Sequence, residues 1–180
     1  FDAMVARFVE KCPFSEQKGL DWEALIAEFR PRFEEADKNR DANAYLIAMQ
    51  DFLWRIPDGH VAMYPGAAVL DAQFQTAISG GLGMAMKDIE NDNGDPLGVQ
   101  VFFLTPGGAA EAAGIQIGAT ILEMGGMPVD DFVANTIAFS APFSTEQNAR
   151  LQQLRYATRA PLGTDVDVTY RNPGAAKSET

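Results

Sequence analysis

The stretch from Gly80 to Val129, GGLGMAMKDIENDNGDPLGVQVFFLTPGGAAEAAGIQIGATILEMGGMPV, constrains this chain more than any other. A glycine loop runs into a short apolar strand, Leu82 to Asp88. A polar hairpin over Asn91–Gly98 and a second strand, Val99 to Leu104, come next. Pro106-Gly107-Gly108 then leads to a one-turn helix, Ala109 to Ala113, with Gly114 at the position where a helix-ending glycine belongs. Thr120 to Met124 reads as the next strand and Gly125-Gly126 as a tight turn. A glycine loop of this kind is expected to leave the N–H groups of Leu82, Gly83 and Met84 free and converging. Successive free amides make a concave anion site that suits a carboxylate or a phosphate. The strand after the loop would offer an edge to which an extended peptide could add. Together these features imply a site for the end of a peptide chain.

Before this stretch the pattern is helical. Phe1, Val5, Phe8 and Cys12 share one face of a first helix, which Pro13 is expected to stop. Asp21 is a candidate N-cap for a second helix presenting Trp22, Leu25, Ile26 and Phe29, ended or kinked at Pro31. A third, from about Asp41, carries Tyr45, Leu46, Met49, Phe52, Leu53 and Ile56 up to Pro57. Pro57-Asp58-Gly59-His60 makes a sharp turn into the short apolar run Val61–Tyr64, with Pro65 and Gly66 as further breaks. After the β stretch, residues 131 to 139 suggest a short helix. Ser144 with Gln147 reads as a capping box opening a longer helix through Arg159. Asp165 to Tyr170 alternates as a half-buried strand. The fold class expected is α+β: a three-helix bundle over residues 1–67, a connector over 68–79, a β module over 80–173 and a frayed tail over 174–180.

Composition removes several function classes. The chain has 180 residues with 14 basic and 25 acidic side chains, a net charge of −11 and no basic stripe in either half. Nucleic-acid binding depends on clustered Lys and Arg, so nucleic acid is excluded as a partner. No apolar run approaches the roughly 20 residues of a membrane span. Cys12 stands alone, so neither an internal disulfide nor a cysteine metal site is expected. The acidic residues Asp88, Glu90, Asp92 and Asp95 fail the calcium-loop pattern, because placing Gly94 sixth puts Ile89 first and Gln100 twelfth. A nucleotide loop beginning Gly81-Leu82-Gly83 fails at Met86, where the third glycine belongs. No cofactor or metal is implied. The chain opens at Phe1 inside a helix, without Met or signal peptide, which suggests a piece of a longer precursor.

The glycine loop GGLGM, the segment TPGGAAEAAGIQIGATILEMGGMPV and the later helix with its alternating strand together resemble a PDZ domain of the bacterial kind. That family usually has Gly-Asp where Gly118-Ala119 stands here. The residues KGLDWEALIAEFRP (18 to 31), the third helix and PDGHV (57 to 61) resemble the N-terminal region of carboxyl-terminal processing peptidases, the tail-specific proteases. Helices, an Asp-Gly-His turn and then a PDZ domain is that family's order.

The resemblance implies substrate recognition for a serine endopeptidase, with C-terminal segments of protein substrates as partners. It also implies an extracytoplasmic location: periplasmic, envelope or secreted. The loop Leu82, Gly83 and Met84 would hold the peptide carboxylate. Ala85 and Met86 on the strand, with Leu151 and Leu154 on the later helix, would line the groove; both leucines are equally readable as core. The family's serine and lysine lie in a domain after the PDZ module. None of the serines (15, 79, 140, 144, 178) or lysines (11, 18, 38, 87, 177) shows a nucleophile context, so these residues alone are expected to be inactive. His60, the only histidine, is a candidate general base by analogy with the wider superfamily, or simply part of a turn tying the bundle to the next domain. The rival to the peptidase reading is a non-enzymatic PDZ adaptor.

Overall fold

A computed structural model describes residues 1–12, 15–63 and 67–180. The stops expected at Pro13, Pro65 and Gly66, and the end of the apolar run at Tyr64, lie outside the described residues. Within them the chain is α+β with antiparallel sheets, and it divides into two compact units. The first comprises Phe1–Gln73 with Ala141–Glu146; the second comprises Phe74–Ser140 with Gln147–Thr180.

The first unit holds α1 (Asp2–Lys11), α2 (Trp22–Lys38) and α3 (Ala42–Trp54). The side chains of Asp21 and Asp41 cap α2 and α3, accepting from the amides of Ala24 and Ala44 at 2.9 Å. Each satisfies one of the donors a helix start leaves unpaired. One apolar cluster joins the three helices, from Val5 on α1 through Leu25, Phe29 and Phe33 on α2 to Ala48, Phe52 and Leu53 on α3. Phe52 is completely buried, its ring set edge-on to Phe29 at 5.6 Å and to Phe33 at 6.5 Å. Edge-to-face pairs of this kind add to the area term.

Of the two outcomes expected at Pro31, an end or a kink, the end does not occur; α2 passes through it to Lys38. Proline removes one intrahelical hydrogen bond. Phe29 and Phe33, one turn apart on either side of it, are both buried, while Pro31 itself faces solvent. The stretch read as a connector holds a further helix, α4 (Ala68–Ala77).

The second unit is built on two sheets. A two-stranded ladder pairs β1 (Gly80–Gly81) with β6 (Arg159–Ala160). The larger sheet runs β2 (Met84–Glu90), β3 (Pro96–Leu104), β4 (Thr120–Met124), β5 (Met127–Pro128), with β7 (Val168–Arg171) also paired to β4. Between strands sit α5 (Ala109–Ala112), α6 (Val129–Ala134) and α7 (Glu146–Ala157). The ladder of β2 on β3 skips Phe102 between Ala85 and Met86, and Leu97 between Ile89 and Glu90. Both extra residues lie on β3, so β2 itself runs regularly. The core is Met84, Met86, Val99, Val101, Ile121, Met124, Val133, Leu154, Ala157 and Tyr170, with Ala119 fully buried among them.

Several boundaries move for identifiable reasons. The hairpin tip is organised by Asn91, whose Oδ1 accepts from the amides of Asn93 and Asp95 at 2.9 Å each. Gly125 and Gly126 both have positive φ, 58° and 77°, as a two-residue turn between β4 and β5 requires. The helix expected over 131–139 starts at Val129 and ends by Asn135, whose Nδ2 donates to the Asp131 carbonyl. Ser144 forms no capping box. Its hydroxyl accepts from the Gly59 amide at 2.9 Å, within the first unit, and α7 begins only at Glu146.

The tail read as frayed is pinned. Glu179 exchanges backbone hydrogen bonds with Tyr170 at 2.9 and 2.8 Å, adding a bridge alongside β7.

Candidate functional site

The loop before β2 is held from two sides. Gly80 and Gly81 pair with Ala160 and Arg159, just past the end of α7. The Leu82 amide donates to the Thr158 carbonyl at 3.0 Å, and the Leu82 carbonyl accepts from Ala110 on α5 at 2.8 Å. This corrects the expectation of three free amides, because Leu82 gives its N–H to the protein itself. It also explains why β2 starts at Met84 rather than Leu82.

Gly83 is built for the remaining role. Its φ is +73°, and an added Cβ would lie 3.1 Å from the Gly108 Cα and 3.2 Å from the Ala109 amide nitrogen. Only glycine fits both the backbone conformation and the space. Its carbonyl accepts from the Thr105 amide at 2.8 Å, whereas its own N–H has no partner among the described residues. Met84 stands opposite Leu104, next to that Gly83–Thr105 bond. Antiparallel alternation then turns the Met84 N–H away from β3, toward the open edge of β2. The loop therefore presents the Gly83 and Met84 amides, a pair able to hold an anion.

Strand β2 ends its sheet order and has β3 on one side only. Among the described residues no strand pairs with the other edge, which leaves it as a template for an added strand. Met84 and Met86 turn their side chains into the core at 6% and 4% exposure, and Ala85 between them is half-buried. On α7 the two leucines part company: Leu154 is buried against the same core, and Leu151 is 54% exposed.

Sequence reasoning did not anticipate Arg150. It lies on α7 and donates from Nε and Nη2 to both carboxylate oxygens of Asp88 on β2, at 3.0 and 2.8 Å, and from Nη2 to Asp130 at 2.6 Å. These hydrogen bonds to the two carboxylates hold its own proton more tightly than usual, even against partial burial. A cavity of about 260 Å³ is lined by Leu82, Met84, Ala113, Val166 and Tyr170, among others.

His60 belongs to the first unit. Its ring is 91% exposed and its Nδ1 lies 2.9 Å from the Asp58 carboxylate, which also accepts from the His60 amide at 3.0 Å. Those two hydrogen bonds, the backbone one first, hold the Asp58 carboxyl below its ordinary pKa. Lys18 reaches the Ser144 carbonyl rather than its hydroxyl. A serine nucleophile needs its base at the hydroxyl, so this pair is not so arranged.

Residues 71–139 match the family model of the PDZ domain. The match runs from within α4 to just beyond α6 and includes the glycine loop and β2. No curated protein matches the chain.

Proposed function

We propose that this chain captures the C-terminal ends of proteins. An extended tail adds as a strand along the open edge of β2, and its carboxylate docks at the Gly83 and Met84 amides. The observation that carries this reading is the glycine loop. At Gly83 it combines a positive φ, no room for a side chain and an N–H without a partner among the described residues, at the mouth of an edge strand. The PDZ match over the same residues supports it, since such domains typically bind peptide ends. In this reading Leu151, exposed on α7, contacts the tail's apolar residues, and the buried Met84, Met86 and Leu154 lie beneath them.

We further propose that the captured tails are substrates of a carboxyl-terminal processing serine endopeptidase, acting outside the cytoplasm, with its serine and lysine in residues other than these. The support is the order of a three-helix bundle, an Asp-Gly-His turn and a PDZ domain, together with the resemblance of residues 18–31 and 57–61 to that family. The competing reading is a PDZ adaptor that holds tails without cutting them. It rests on the PDZ match alone, which suggests a peptide-binding module.

Calorimetric titration with short apolar-ended peptides, each with a free or an amidated C-terminus, tests the capture itself. Binding that requires the free carboxylate supports it. Equal binding of both forms moves the ligand away from the loop and removes the proposal.

A further inference from the structure

The Arg150 cluster marks one definite level on the edge of β2. Met84 and Asp88 are four residues apart on a regular strand, about 13 Å at the usual strand rise. A tail running antiparallel to β2 with its last residue beside Met84 brings the fourth residue before the last beside Asp88. At that level the protein presents one guanidinium and two carboxylates, a net charge of −1 within a chain of −11. Asp88 spends both oxygens on Arg150. Asp130 spends only Oδ1; its other oxygen has no partner among the described residues, and the side chain is 72% exposed.

We propose that the Asp88–Arg150–Asp130 cluster reads the charge of a captured tail, favouring Lys or Arg at the fourth residue before the last and disfavouring Asp or Glu. The inference rests on the strand capture proposed above. A basic side chain at that level donates to the vacant oxygen of Asp130 without displacing Arg150. An acidic one could reach only Nη1 of Arg150, from which no hydrogen bond extends among the described residues, and it meets a surplus of negative charge there. Opposite-charge complementarity of this exposed kind sets preference more than overall strength.

Seven-residue peptides with a free C-terminus, identical but for Lys, Ala or Glu at that position, are titrated calorimetrically beside a tripeptide too short to reach the cluster. The expected order is Lys, then Ala, then Glu, with steps of about threefold at low salt that shrink at about 0.5 M salt. Asp130→Asn, at an exposed position, abolishes the preference for Lys over Ala. The double variant Asp88→Asn/Asp130→Asn leaves Arg150 uncompensated and inverts the order toward Glu. Neither variant changes affinity for the tripeptide. Equal affinity for the three longer peptides, while the tripeptide binds, overturns the charge reading and leaves tail capture standing. Failure of every peptide to bind overturns both.

Discussion

The amide of Leu82 donates to the carbonyl of Thr158 at 3.0 Å, tying the first turn of the glycine loop to the chain leaving α7. Both sides of the candidate groove, the loop that opens β2 and the helix beyond it, are thus joined at one end by this hydrogen bond together with the pairing of β1 and β6. The loop is held rigid there. Gly83 and Met84 keep their amides for a ligand because Leu82 has surrendered its own.

Gly83→Ala tests that arrangement. The substitution places a Cβ at φ +73° and within 3.1 Å of the Gly108 backbone, where neither loop nor α5 can move without breaking the Leu82–Ala110 hydrogen bond. The expected loss is about 1–3 kcal/mol of stability. It is accompanied by loss of peptide capture under conditions where the variant is still folded. Urea denaturation and peptide titration on the same preparation measure the two effects. A fully stable variant with undiminished binding contradicts the geometry.

The two leucines of α7 separate core from groove. Leu154→Ala empties a site at 3% exposure and is expected to cost about 2–5 kcal/mol of stability. Leu151→Ala removes an exposed side chain, so stability should change by no more than about 0.5 kcal/mol. If Leu151 touches the tail as proposed, the same change weakens peptide binding by about fivefold, the worth of partial apolar burial. Denaturation curves and calorimetry resolve the pair; a stability loss of equal size at both positions would contradict their different burial.

Local rules were legible in the residues wherever the partner is close in sequence. Asp21 caps α2 as read, the third helix opens at the Asp41 where it was expected to begin, and Thr120–Met124 is a strand with those very bounds. The positive-φ glycines at 114, 125 and 126 close turns as read. What escaped depends on distant partners. The Leu82 amide was expected to be free because nothing near it in sequence announces Thr158. Ser144 looked like a cap because Gly59, whose amide donates to its hydroxyl, is 85 residues away. Arg150 carried no signal of its own, since Asp88 and Asp130 meet it only through the fold. The tail looked frayed because the strand that Glu179 pairs with contributes its backbone rather than a side-chain pattern.

The caps give a test confined to the first unit. Asp41→Ala removes the acceptor of the Ala44 amide at the start of α3 and should lower stability by about 0.5–2 kcal/mol. Asp41→Asn keeps a side-chain oxygen in place and should recover most of that loss. Denaturation of the two variants side by side distinguishes capping from a general charge effect, for which Asn would behave as Ala does. Pro31→Ala, at an exposed position within an intact helix, should be stabilising, since it restores an amide and relieves the ring.

Tyr170 links β7 to α5 and to the tail. Its hydroxyl donates to the Ala113 carbonyl at 2.8 Å, and the Glu179 carboxylate stands 3.3 Å away. Burial, and then the negative charge of Glu179, push the phenol above its ordinary pKa of 10.0. A phenol whose pKa is raised by folding adds stability that is complete below the unfolded value, near 10. That contribution is lost as pH climbs through the folded one. The intact chain should therefore lose stability above about pH 10, beyond any loss from lysine deprotonation. Tyr170→Phe should give up about 1 kcal/mol at neutral pH by orphaning the Ala113 carbonyl. Between about pH 9 and 11 the variant should decline less than the parent, because it has no phenolate to bury. Glu179→Gln removes the repelling charge, brings the folded pKa of Tyr170 closer to its unfolded value and should make the alkaline decline smaller, without the neutral penalty. Parallel alkaline limbs for all three proteins, measured by urea denaturation across that range, would show that folding does not raise the Tyr170 pKa.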